Sequence, residues 1–500
     1  MAKAIMIQGT MSNAGKSLIC AGLCRIFRQD GYRVAPFKSQ NMALNSYITD
    51  DGMEMGRAQA MQAEAAGIAP SVWMNPILLK PVTNMGSQVI VNGKVIGNMK
   101  ARDYYQMKHT LIPQIMEAYN RLSEENDIIV IEGAGSPAEI NLKKGDFVNM
   151  GMAKLAKAPV LLVGDIDRGG VFAQLYGTVK LLEKEEQERI KGTVINKFRG
   201  DVSLLEDGLR QIEALTDKPV IGVVPMLDVD IDEEDSLSSR LDTKTKEGLL
   251  DIAVIRFGKI SNFTDMAALE AEENVSVRYV KEVKELGNPD MIILPGTKNT
   301  MEDLLTIRES GLEAQIKKKA NAGTVIVGIC GGYQMLGETI TDKNRSEGSR
   351  FSKMAGMGLL PVDTIFAEEK FTTKAMGTII HAGGKLGNIE GLGVEGYELH
   401  MGQSAVKDDS LAKPFIRMSE ERQDGCVLGN VYGTYLHGFF DSDELREAVL
   451  KALASEKGIS LTNPISRKEY KEMQYDKLAK GIRDSLDMER IYQIIEEGAE

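Results

Sequence analysis

Thr324-Val-Ile-Val-Gly-Ile-Cys330-Gly-Gly-Tyr-Gln-Met-Leu336 decides how the chain is read. Its β-branched apolar run at 324–327 predicts a buried strand, and the pattern from Tyr333 onward suits a helix. Cys330 stands between the two, with Gly328 before it and Gly331 and Gly332 after it. Glycines on both sides permit a sharp strand-to-helix turn with unusual backbone angles. Such an elbow lifts one side chain clear of the sheet and aims the Gly331 N–H at it, which suits a nucleophile. A small buried residue is the plainer account of a lone cysteine, but packing alone gives the flanking glycines no purpose. Far downstream, Gly429-Asn-Val-Tyr-Gly-Thr-Tyr-Leu-His437-Gly reads as a strand ending in a histidine. One cysteine with a sequence-distant histidine is the pattern of a Cys–His hydrolase site.

At the other end of the chain a second layout stands out. A short apolar strand at 4–7 leads into Gly9-Thr10-Met-Ser-Asn13-Ala-Gly15-Lys16-Ser17, and Ile19, Leu23, Ile26 and Phe27 then recur at helical spacing. Strand, glycine-rich loop and a helix opening on Lys-Ser form a phosphate-binding loop. Backbone N–H groups and the helix N-terminus cradle phosphate oxygens, Lys16 reaches the outer phosphates, and the Ser17 hydroxyl can ligate Mg²⁺. Five residues separate Gly9 from Gly15, where the common pattern has four. The apolar run ending at Glu132, followed by Gly-Ala-Gly-Ser136, places a carboxylate at a strand end. There it can hold Mg²⁺ beside a triphosphate, directly or through water. Further runs at 32–37, 159–164, 192–195 and 219–224, mostly alternating with helical patterns, predict a parallel sheet covered by helices on both faces. Lys38-Ser-Gln-Asn-Met-Ala-Leu-Asn-Ser46 follows the second strand, at the sheet end where α/β proteins bind ligands.

The chain divides into residues 1–230, a charged linker at 231–249 that contains most of the acidic run 230–235, a second α/β unit at 250–445, and a helical extension at 446–500. The extension carries no chemistry; packing on the second unit or on a partner chain accounts for it. Net charge is −12 over 500 residues, which argues against a broad nucleic-acid surface. No apolar run approaches the ~20 residues a membrane span needs. Nor does the N-terminus read as a signal peptide. The four cysteines, at 20, 24, 330 and 426, have neither zinc nor redox spacing and fit a reducing cytoplasm.

The elbow Gly328-Ile-Cys330-Gly-Gly-Tyr-Gln334 resembles that of the class I glutamine amidotransferases, and Tyr435-Leu-His437-Gly is similar to the histidine motif of their cobyric and cobyrinic acid branch. The class usually carries His-x-Glu, which would put a glutamate at 439; this chain has Phe439. The branch shares that lack, so the resemblance assigns a Cys330–His437 pair and leaves the third member open. It also implies Gly296 and Gly331 as oxyanion donors, with Gln334 beside the glutamine. The long glycine loop resembles the dethiobiotin synthetase-like group of P-loop proteins, in which the residue matching Glu132 holds metal with Ser17. Met11 stands where the related partitioning ATPases have a lysine. Asn196-Lys197 resembles the base-recognition position of P-loop proteins, although a plain turn accounts for the pair almost as well. The run 38–46 resembles the cobyric acid members more closely than the a,c-diamide synthases, and the stretch Ser261-Asn-Phe-Thr-Asp265 also resembles the branch.

The resemblance implies a P-loop NTPase-like parallel sheet domain followed by a flavodoxin-like class I glutamine amidotransferase domain. It implies an ATP- and Mg²⁺-dependent, glutamine-hydrolysing ligase. Such an enzyme amidates carboxylates b, d, e and g of adenosylcobyrinic a,c-diamide in cobalamin biosynthesis. The rivals are the synthase that makes the a,c-diamide, and a regulatory P-loop ATPase with a degenerate amidotransferase domain. Small molecules are the expected partners, with assembly into a homo-oligomer left open.

Overall fold

In the computed structural model, residues 2–83, 86–231, 248–407, 411–419, 422–461 and 466–499 are described. The linker read at 231–249, with most of its acidic run, lies largely outside them.

The first sheet holds six strands in the spatial order Val220–Pro225, Ile190–Phe198, Val160–Asp165, Lys3–Gly9, Ile128–Glu132, Val34–Phe37. All neighbours pair in parallel. The central strands are buried on both faces, which is why they read as continuous Val/Ile/Leu runs. The loop after Lys3–Gly9 and the carboxylate end of Ile128–Glu132 are adjacent, because Ile7 pairs with Glu132. A four-stranded sheet inserted after the second strand comprises Gln40–Met42, Ile77–Thr83, Gly86–Val91 and Lys94–Lys100. The sequence reading did not anticipate it.

The second unit has a parallel core ordered Val275–Val280, Leu250–Ile255, Met291–Leu294, Val325–Ile329, Val431–Thr434. Antiparallel strands extend it, dominated by the long pair Val362–Ile379 and Gly393–Val406. The strands before Cys330 and before His437 are therefore neighbours, with Ile329 opposite Thr434.

The C-terminal helices depart from expectation. Asp443–Glu456 packs into the second core through Leu445, Val449 and Leu453. Arg467–Arg483 and Met488–Glu497 instead lay their apolar faces on the first unit. Tyr475, Leu478, Ile482, Ile491, Ile494 and Ile495 share one core with Ile5, Ile7 and Leu23. Ile482 lies over Gly22 of the helix Lys16–Gln29, where a Cβ would come within 2.2 Å of it. Buried Arg25 adds ion pairs to Glu472 at 2.7 Å and Asp476 at 2.8 Å. Helical periodicity shows that such helices have an apolar face but not what that face meets.

Candidate functional site

The strand Val325–Ile329 ends in Cys330, whose φ of 52° and ψ of −108° lie where non-glycine residues are strained. The helix Gly331–Leu336 starts at once. Gly332 lets that turn form, because a Cβ there would sit 1.9 Å from the Leu294 carbonyl oxygen. Cys330 is 8% exposed and its Sγ lies 3.8 Å from the Leu399 carbonyl oxygen.

His437 is buried and lines the same cavity as Cys330. Its Nδ1 lies 2.8 Å from Oδ2 of Asp265, whose Oδ1 accepts the Gly438 N–H at 3.0 Å. Asp265 thus does the orienting that the resemblance left open. Burial disfavours the imidazolium, but the Asp265 carboxylate and then the Cys330 sulfur outweigh it and push the His437 pKa up to about 10. Phe439, at the position where the class has glutamate, packs against Phe415 and Phe440 and has no part in the site. Tyr397 stacks on the His437 ring, with centroids 5.1 Å apart.

Gly296 lies against the imidazole: a Cβ there would meet His437 Cε1 at 3.0 Å. Gly331 and Gln334 line the cavity with Cys330. Thr300 Oγ1 donates to Gln334 Oε1 at 3.0 Å, and Gln334 Nε2 donates to the Tyr435 hydroxyl at 3.4 Å. His400 lines the same cavity, stacks on Tyr435 and bonds Gly402 and Glu398.

Several lining groups went unread in the sequence. Lys298, Lys370 and Glu347 come from the second unit and Lys80 from the first. Lys80 and Lys370 both donate to the buried carboxylate of Glu54, at 2.7 and 2.6 Å. Burial pushes the Lys370 ammonium down to about 7 and the Glu347 carboxyl up to about 8. The Glu54 carboxyl is also pushed up by burial, but Lys370 and Lys80 outweigh this and hold it well below its ordinary range. No single segment contains this cluster; only docking of the two units assembles it. Asp265 was within reach, since the stretch 261–265 stood out, but nothing local marks an aspartate 172 residues from its histidine.

The glycine loop forms the second site. Asn13 and Gly15 have φ of 61° and 93°. Lys16 Nζ donates to the carbonyls of Met11 at 3.0 Å and Gly135 at 3.2 Å. A Cβ on Gly9 would meet Lys16 Nζ at 3.0 Å. Thr10 Oγ1 donates to Gln174 Oε1. Ser17 Oγ donates to Glu132 Oε1 at 2.8 Å, and Lys38 Nζ reaches the same oxygen at 2.9 Å. Gln59 and Gln62 donate to the other Glu132 oxygen. Burial pushes the Glu132 carboxyl up, but Lys38 and these donors outweigh it and hold it below its ordinary range. Among the described residues, no group of three or more His, Cys, Asp or Glu could hold a metal ion. The Ser17 hydroxyl and ionised Glu132 are nevertheless hard oxygen donors of the kind Mg²⁺ shares with phosphates. Asn196 and Lys197 lie against this loop. Asn196 Nδ2 donates to the Ala14 carbonyl at 2.9 Å. Lys197 Nζ donates to the Asn13 carbonyl at 2.6 Å and to Asp165 at 2.9 Å. In this structure both side chains brace the loop.

Residues 5–238 match the family described as the CobQ/CobB/MinD/ParA nucleotide binding domain, and residues 251–445 the CobB/CobQ-like glutamine amidotransferase domain. The cobyric acid synthase of Ruminiclostridium cellulolyticum is 60% identical, covering 100% of this chain and 98% of that protein. That of Lachnoclostridium phytofermentans is 57% identical and covered in full along both chains. That of Thermoanaerobacter sp. is 50% identical, covering 99% of each. Among the described residues no helix is long and apolar enough to cross a membrane.

Proposed function

The chain belongs to the cobyric acid synthase family, and from that premise we propose how its two sites divide the work of glutamine-dependent amidation in cobalamin biosynthesis. The acceptor is adenosylcobyrinic a,c-diamide, amidated at carboxylates b, d, e and g. The observation that carries the reading is His437, held by Asp265 and lining one cavity with the Cys330 elbow. That set argues against a degenerate amidotransferase domain. The full-length likeness to cobyric acid synthases argues against the a,c-diamide synthase.

At the elbow, with the thiol proton resting on His437, Cys330 Sγ attacks the glutamine side-chain amide carbon. His437 then returns the proton to the leaving nitrogen, releasing ammonia and leaving a thioester. Water, deprotonated by His437, hydrolyses the thioester to glutamate and restores the thiol. The N–H groups of Gly296 and Gly331 stabilise the oxyanion of each tetrahedral intermediate; one such donor is worth ~10²–10³ in rate.

Ammonia cannot displace hydroxide from a carboxylate. The first unit therefore uses ATP: its γ-phosphoryl group passes to the acceptor carboxylate, ADP leaves, and ammonia displaces phosphate from the acyl phosphate. Lys16 neutralises charge on the transferring group. Ser17 and Glu132 would hold Mg²⁺, which supplies further charge neutralisation on the phosphates when bound. Four buried, unpaired cysteines suit the cytoplasm, where we place the enzyme.

The test is to incubate the protein with ATP, glutamine and adenosylcobyrinic a,c-diamide and count added amides by mass spectrometry. Four additions are expected. No addition there, with amidation of cobyrinic acid at a and c, would favour the a,c-diamide synthase.

A further inference from the structure

Two charged groups on the wall of the Cys330 cavity lack a partner of opposite charge. Lys298 stands on the turn against which the elbow packs. A Cβ on Gly331 would meet the Thr297 nitrogen at 3.1 Å and Thr300 Oγ1 at 3.3 Å. The Lys298 side chain lines the cavity together with Cys330, Gly331 and Gln334. Among the described residues its ammonium makes no hydrogen bond and no ion pair. Burial and the nearby Lys80 ammonium lower its pKa, and Glu347, Glu54 and Cys330 offset this only in part. Glu347 lines the same cavity. Its carboxylate accepts the Thr300 N–H at 2.7 Å and the Thr300 hydroxyl at 3.3 Å, but among the described residues it too forms no ion pair. Lys298 and Glu347 act on each other through space without touching. The other two lysines of the wall differ, since Lys80 and Lys370 both donate to Glu54.

Glutamine carries two charges of its own, three bonds from its amide carbon. With that carbon at Cys330 Sγ, the α-ammonium and α-carboxylate fall within the same cavity. Each charge leaves water at a cost that only an opposite charge and good hydrogen bonds offset. One unpaired cation and one unpaired carboxylate on a single wall are the complement of that head group. Binding also completes the wall, because the α-carboxylate supplies what Lys298 lacks and the α-ammonium what Glu347 lacks. A compound without one of the two charges leaves a buried protein charge unmatched, which is how polar sites discriminate strongly.

We propose that Lys298 and Glu347 determine the specificity of the glutaminase, Lys298 receiving the α-carboxylate and Glu347 the α-ammonium of free glutamine. The pair acts on binding and not on the bonds that break. It gives the Cys330 site a means of sparing other primary carboxamides, including those of the amidated product, which carry no such head group. The proposal rests on the assignment of Cys330 and His437 as the glutaminase pair.

The experiment measures release of the carboxylic acid from three amides by the full-length protein with ATP, Mg²⁺ and adenosylcobyrinic a,c-diamide present. The amides are L-glutamine, 4-carbamoylbutanoate, which lacks the α-ammonium, and 4-aminobutanamide, which lacks the α-carboxylate. Wild type is compared with Lys298→Met, which keeps the apolar stem, and Glu347→Gln, which keeps an oxygen for the Thr300 N–H; thermal melting checks folding. Each variant is expected to raise the glutamine KM roughly 10- to 100-fold, the worth of one hydrogen bond to a charged group, with kcat little changed. Lys298→Met should lose the preference for glutamine over 4-aminobutanamide and keep that over 4-carbamoylbutanoate; Glu347→Gln should do the reverse. General damage to the elbow would instead lower kcat for all three amides alike. Unchanged KM and unchanged preferences in the folded variants overturn the proposal. So does loss of ammonium-driven amidation in Lys298→Met, which would place that lysine with the acceptor. Cys330→Ala is run alongside. If it still hydrolyses glutamine, the glutaminase assignment has failed; if it does not, a negative result falls on Lys298 and Glu347 alone.

Discussion

Asp265 carries the clearest consequence at the scale of single residues. It holds the His437 imidazole by Nδ1 inside a buried site, so Asp265→Asn removes both the charge and the tautomer control. Glutaminase turnover is expected to fall roughly 10²- to 10⁴-fold, the range spanned by positioned acid–base groups. Ammonia-dependent amidation should be unchanged, and assays with each nitrogen source check both. The same pair predicts a pH effect on stability. The folded pKa of His437 is raised to about 10 from an ordinary value near 6.5. The stabilisation it contributes is therefore fully present below about 6.5 and is lost as pH rises through about 10. The gap in melting temperature between wild type and Asp265→Asn should narrow across that window. A gap constant from pH 6 to 10 would mean the imidazolium is not what Asp265 stabilises.

The last two helices matter at the scale of elements. Ile494 is fully buried against the first unit's core, so Ile494→Ala should cost about 2–5 kcal/mol, read as a lower urea midpoint. Unfolding should begin in the P-loop unit; if the amidotransferase unit melts first, the docking is misassigned. Legibility in the sequence divides at this scale. The elbow, the phosphate loop and the strands that feed them could be read directly, because glycine placement and apolar runs are local signals. The destination of the terminal helices could not, since an amphipathic face names no partner. Asp265 and Lys370 escaped for a related reason. Each acquires its role from a contact across the fold: 172 residues for Asp265, 316 for Lys370. The inserted sheet was missed because strands of three to seven residues between polar stretches give little periodicity.

Across the whole molecule, two units share one chain, and buried charged groups line the interface between them. Glu54 and Lys80 of one unit meet Lys370 of the other beside the cavity of Cys330. Fusion thus also completes the wall of the cavity that Cys330 and His437 line, through Lys80. Lys16→Ala should abolish amidation from glutamine and from ammonium alike, because both routes need the phosphoryl transfer, while some glutaminase remains. Amidation retained with either source would mean that the loop is not the working nucleotide site. The division of labour is tested most directly by Cys330→Ala, assayed for corrin amidation with glutamine and, in parallel, with concentrated ammonium chloride at mildly alkaline pH. The expected result is no product from glutamine and near wild-type product from ammonium; product from glutamine at the wild-type rate, or loss of both activities in a folded protein, would contradict it.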